Sequence, residues 1–139
     1  MSDFRFYHPI HVRYGDIDSQ WHVNNTRHLA YIEDARTAYL LNLDLWDPNS
    51  FLELGFILVD THIAYHKPIL LGQEIEIGIR VAKIGNKSIT FEYQIEDSST
   101  RQVMASAESV HVAYDYSTKT SHRVTDEWRK KINAFEGRD

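Results

Sequence analysis

Apolar residues recur at two different spacings along this chain, and the changes of spacing divide it into elements. Residues 5–14 (RFYHPIHVRY) alternate well enough for a first strand. Pro9 marks an edge position or a bulge there, because proline cannot donate to a ladder. From Asn25 to about Leu41 the spacing becomes three and four. Leu29, Ile32, Ala35 or Arg36, and Tyr39 recur, with Tyr31, Ala38 and Leu41 widening the stripe, which predicts a long helix. Asn24 is the expected N-cap, since its side-chain oxygen can accept from a first-turn amide. Ala30, Ala35 and Ala38 keep one side slim enough to press against a sheet. Asp47-Pro48 reads as the cap and first-turn proline of a short helix that Gly55 ends.

After that the pattern is β nearly to the end. Residues 56–66 form a strand stopped by Lys67-Pro68, and Ile75, Ile77, Ile79 and Val81 alternate with Glu74, Glu76, Gly78 and Arg80. Gly85-Asn86 turns into a strand carrying Ile89, Phe91, Tyr93 and Ile95. Asp97-Ser98-Ser99 turns again into a last long strand over 102–114, and Thr125 caps a closing helix through about Phe135. Strands joined by tight turns must be antiparallel, because parallel pairs need crossovers of a dozen residues. The expected architecture is therefore α+β, one long helix on an antiparallel sheet. A single helix leaves such a sheet under-covered, and a free edge invites pairing with another copy, so a homodimer is expected.

Composition narrows the function classes. The 139 residues are 42% hydrophobic and 25% charged, which suits one globular domain over residues 1–139. The absence of cysteine excludes disulfides, thiolate metal sites and a cysteine nucleophile. No signal peptide is readable at the N-terminus, and no apolar run approaches the roughly 20 residues that span a bilayer, so a cytoplasmic protein without membrane partners is expected. The net charge is −5 with scattered cations. Only Arg129, Lys130 and Lys131 cluster, on a short helix that also carries Asp126 and Glu127. That reads as a solvated face rather than a nucleic-acid footprint.

The chemically informative segment is residues 14–25, YGDIDSQWHVNN. Two carboxylates and a histidine precede a helix N-terminus, whose unpaired amides and positive partial charge can stabilise an oxyanion on a carbonyl. An acid a few residues upstream can lie on the other side of that carbonyl, which makes an acyl-transfer site one possibility. The other is that Asp, Ser and Asn here are turn and capping residues, with Asp16 bonding nearby amides to hold the loop. His62 and His66 share a strand face about 13 Å apart, too far for one zinc, and no metal or cofactor is expected. Nucleotide, dinucleotide and serine-hydrolase motifs are absent from the sequence. Lys83 and Lys87 flank a turn where a phosphate could rest, although two lysines near a hairpin are more often ordinary solvated charge.

Asp16-x-Asp18-x-x-Trp21-His22-Val23-Asn24-Asn25 resembles the D-x-D-x-x-G-H-V-N-N element of the 4-hydroxybenzoyl-CoA thioesterase-like branch of the hotdog superfamily. Tyr31-Ile32-Glu33-Asp34-Ala35-Arg36 is similar to that family's helix motif, and residues 63–72 and 81–88 look like its matching strands. The resemblance covers about residues 5–116. It implies a hotdog fold, an antiparallel sheet wrapped around one long central helix, and hydrolysis of an acyl-CoA thioester to a carboxylic acid and free CoA. It implies Asp18 as the nucleophile or general base, and the Asn25 backbone amide as the group that polarises the thioester carbonyl. His22, Asn24 and Glu33 match substrate-side positions. Trp21 stands where the family usually has glycine, which permits a positive φ or close approach of substrate. Lying between Asp18 and Asn25 in a short loop, Trp21 is expected beside the thioester, narrowing the pocket or rearranging the loop. The rival readings are an acyl-CoA-binding hotdog domain without catalysis and a hotdog acyl dehydratase or hydratase. A homodimer or homotetramer is expected.

Overall fold

The computed structural model describes residues 3–47 and 55–138. Strands β1 (Phe6–Ile10), β2 (Phe56–Tyr65), β3 (Ile75–Ile84), β4 (Ser88–Asp97) and β5 (Val103–Asp115) form one sheet in the order β1-β3-β4-β5-β2, and β6 (Thr120–Ser121) adds to β5. Every pairing is antiparallel. Helix α1 runs Asn25–Asn42 and α2 runs Asp126–Glu136. The short helix expected between Asp47 and Gly55 falls on residues 48–54, outside the described residues.

Tight turns join β3, β4 and β5, as the period-two pattern implied. The link from β2 to β3 is different. Residues 66–74 carry the chain from one edge of the sheet to a strand next to the other edge without a helix, turning at Leu71-Gly72. The first strand is also shorter than the 5–14 expected. After Ile10 the chain leaves the sheet, and residues Tyr14–Asp16 wind into a 3-10 turn. Pro9 sits in β1, an edge strand, where its missing N–H costs no inner ladder bond.

Helix α1 buries Tyr31, Ile32, Ala35, Tyr39 and Leu40 against the sheet interior, where Ile77, Ile79, Phe91 and Ile95 are fully enclosed. Each isoleucine, leucine or phenylalanine among these contributes about 1.5–3 kcal/mol of apolar burial. The buried stripe is His28, Tyr31, Ile32, Ala35, Tyr39 and Leu40, which keeps Tyr31, Ile32, Ala35 and Tyr39 of the expected one but takes His28 and Leu40 in place of Leu29 and Leu41. Leu29 (48% exposed) and Leu41 (42%) therefore face outward, and of the three alanines only Ala35 is fully packed. Tyr39 donates to Glu136 Oε2 at 2.6 Å, which fastens α1 to α2.

Helix α2 is capped by Thr125, whose hydroxyl accepts from the Trp128 N–H. Its basic cluster is not simply solvated. The Arg129 guanidinium donates to the carbonyls of Gly85, Asn86 and Val124 at 2.7, 2.9 and 3.0 Å, clamping the helix onto the β3–β4 turn. No helix among the described residues is long and apolar enough to cross a membrane.

Candidate active site

The loop before α1 is built around two carboxylates with different surroundings. Asp16 is 1% exposed and accepts three hydrogen bonds, from the Arg13 N–H (3.0 Å), the Arg13 guanidinium (3.3 Å) and the Tyr31 hydroxyl (2.7 Å), with the Arg27 guanidinium paired to it at 3.7 Å. Burial pushes its carboxyl up, but the bonds from Tyr31 and Arg13 outweigh this and hold it below the usual carboxylate range. Its carbonyl accepts the Asn24 N–H at 2.8 Å, which sets where the helix begins. Asp16 is thus a fixed strut.

Asp18 is only half-buried. Its Oδ1 accepts the Gln20 N–H at 2.9 Å and its Oδ2 accepts the Asn24 side-chain amide at 3.3 Å. The Asp18 N–H donates to the His22 carbonyl and its own carbonyl accepts from Trp21, both at 3.0 Å, so the carboxylate rides on a tight turn. An Ile17–Val23 bridge closes that turn, and the Val23 N–H donates to the Ile69 carbonyl at 2.8 Å. Each carboxylate oxygen retains lone-pair capacity beyond its one donor.

Asn24 caps the helix as expected, accepting from the Thr26 N–H (2.9 Å) and the Thr26 hydroxyl (2.6 Å). Because the cap oxygen takes Thr26, the Asn25 N–H at the first helical position has no acceptor within the helix. Asp18, His22, Asn25, His28, Tyr65 and Lys67 line one cleft of about 340 Å³. The arrangement places an accepting carboxylate and a donating helix end around one space large enough for a carbonyl and a water. A larger cleft of about 590 Å³, lined by Pro9, His11, Gln73 and Glu76 among others, lies away from this loop and lacks that pairing.

Residues 12–133 match the model of the thioesterase-like superfamily. The chain belongs to that family. This thioesterase is 29% identical over 126 residues to the long-chain acyl-CoA thioesterase FadM of Escherichia coli (strain K12), covering 91% of this chain and 96% of the relative. Among solved structures it superposes on a thioesterase complexed with coenzyme A and Zn from Thermus thermophilus, with a TM-score of 0.87, 29% identity, and coverage of 100% of this chain and 99% of that one. The fold alone is shared with Slr0204, a 1,4-dihydroxy-2-naphthoyl-CoA thioesterase from Synechocystis, at 19% identity and a TM-score of 0.82 over 91% of this chain and 94% of that one. The enzyme is a thioester hydrolase of the α+β hotdog type.

Of the site residues expected from the thioesterase's sequence, the structure brings Asp18, Asn25 and His22 to the cleft and makes Asn24 the link between Asp18 and the helix. It does not bring Glu33 or Trp21 there. Glu33 lies on the outer face of α1, its side chain 75% exposed and 3.9 Å from Arg36. Trp21 is 77% exposed, is neither a core anchor nor a lining residue, and has a φ of 67°, the left-handed region that glycine favours. Sequence reasoning missed His28, Tyr65 and Lys67. His28 was legible as a stripe position, since it stands three and four residues before Tyr31 and Ile32. Tyr65 and Lys67 arrive through the β2 pairing, which no local period encodes.

Proposed function

We propose that this thioesterase hydrolyses acyl-CoA thioesters to a carboxylic acid and free CoA, with Asp18 as the catalytic carboxylate and the Asn25 amide as the donor to the thioester oxygen. The observation that carries the reading is the shared cleft: Asp18 and the first peptide of α1 open on one space. Negative charge developing on the thioester oxygen is stabilised by a preorganised amide at the positive end of a helix dipole. Asp18 either attacks the thioester carbon, forming a mixed anhydride that water opens, or takes a proton from the attacking water. Lys67 gives the cleft a cation suited to the phosphates of CoA. The family membership and the FadM relative support the CoA thioester as substrate class.

The reading includes self-association through the free edge of β2 and a cytoplasmic location. Release of free thiol from short, long and aromatic acyl-CoAs tests it. At least one acyl-CoA should be turned over with a kcat/KM in the ordinary enzyme range, about 10⁴ M⁻¹ s⁻¹ or higher. Binding of these thioesters without thiol release would replace hydrolysis with a carrier or sensor role.

A further inference from the structure

The cleft holds one more acceptor. His28 is 4% exposed, sits on the first turn of α1 and lines the same cleft as Asp18 and Asn25. Its Nδ1 lies 3.3 Å from the Asn24 carbonyl oxygen. A carbonyl only accepts, so Nδ1 carries the proton and Nε2 carries the lone pair. Among the described residues the fully buried side-chain nitrogens without a partner are Trp46 Nε1 and His111 Nδ1. Among the described residues no hydrogen bond is made to Nε2 of His28, it is not one of these enclosed atoms, and the residue lines the cleft. The ring cannot turn freely: Tyr65 packs edge-on against it at 4.8 Å between centroids, and the Tyr65 hydroxyl is itself tied to the Asn25 carbonyl at 3.1 Å. Asn24 also joins the two acceptors, giving its side-chain amide to Asp18 and its carbonyl to His28.

We infer that His28 is a catalytic residue of this thioesterase, its Nε2 accepting a hydrogen bond from the hydrolytic water while Asp18 accepts the other. The inference rests on the acyl-CoA hydrolase reading above and selects the direct water route within it. With both protons engaged, the water's lone pair is left for the thioester carbon. As the O–C bond forms, Asp18 takes one proton. When the C–S bond breaks, that proton passes to the departing CoA sulfur. The water's second hydrogen stays with the new carboxyl group, so thioester and water are converted to acid and thiol with nothing left over. Burial holds the His28 imidazole below its ordinary value, which keeps it neutral, an acceptor that orients without being charged.

Kinetics of His28→Phe, His28→Asn and His28→Gln beside the wild type and Asp18→Asn test this. Asn keeps a donor at the Nδ1 position and lacks the far acceptor. Gln carries a carbonyl oxygen near the place of Nε2. H28F and H28N should lower kcat by about 30- to 100-fold, with KM changed by less than about threefold, the signature of an interaction made in the transition state. H28Q should recover about tenfold of that loss, which a merely structural role would not produce. H28N serves alone if H28F does not fold. Either variant retaining kcat within about threefold of wild type, or H28Q no better than H28N, overturns the role of His28 while D18N still reports on the hydrolase reading. A wild type that releases no thiol from any acyl-CoA overturns the function and the inference together.

Discussion

Asp16 and Asp18 differ in what surrounds them, and this decides what each can do. Asp16 spends its lone pairs on Tyr31 and Arg13, is paired with the Arg27 charge, and is buried away from the cleft. Asp18 is half-buried with one donor per oxygen and opens on the cleft. The D-x-D spacing alone could not separate them, because burial is set by Tyr31 arriving from the helix fifteen residues later. Trp21 is the other residue whose role depends on backbone rather than side chain. A bulky residue at φ 67° carries about 1 kcal/mol of strain, and its exposed ring gains little packing in return. Trp21→Gly should therefore raise the thermal midpoint by about 2–4 °C. A lower midpoint in differential scanning calorimetry would mean that the ring is anchored in the assembled protein.

At the scale of elements, a buried polar chain joins α1 to the sheet. Arg36 donates to the Tyr93 hydroxyl at 3.1 Å, Tyr93 and Ser109 share a short hydrogen bond, and Ser109 meets His111 Nε2 at 2.9 Å. Burial, with a smaller effect of the Arg36 charge, pushes the His111 imidazole down to about 3. A histidine with a depressed folded value binds its proton more readily when unfolded. Stability is then complete above about pH 6.5 and declines as pH falls towards 3, by up to about 1.4 kcal/mol per pH unit. Asp16, also depressed, contributes the same sign below about pH 4. His111→Phe should flatten the stability curve between pH 6.5 and 4 in urea titrations; an unchanged slope would place the acid sensitivity elsewhere.

These elements differ in how far the sequence announces them. The alternation of β3 and β4 and the Asn24 and Thr125 caps are local signals and were readable. The end of β1, the β2 crossover, the outward turn of Leu29 and Leu41, and the Arg129 clamp depend on contacts between distant segments. Within the proposed site, the grouping of Asp18, Asn24 and Asn25 was legible because one contiguous loop supplies them. The wall formed by Tyr65 and Lys67 was not, because it depends on which edge β2 occupies.

At the scale of the whole molecule, β2 is a ten-residue edge strand with Leu58 and Val59 51% and 53% exposed, and no strand among the described residues pairs with its outer side. An unprotected apolar edge of this length favours addition of a second sheet. Sedimentation at micromolar concentration should give at least twice the 16.3 kDa chain mass, and a monomer would leave the cleft complete within a single chain. Assembly leaves the chemistry to the proposed Asp18 carboxylate, which is tested by the kcat of Asp18→Asn against wild type, by free-thiol release from the best acyl-CoA, with both proteins shown to melt alike. Removing the charge while keeping the shape should lower kcat by at least about 100-fold. Turnover within a few-fold of wild type would contradict the assignment of Asp18 and, with it, the reading of the cleft as the active site.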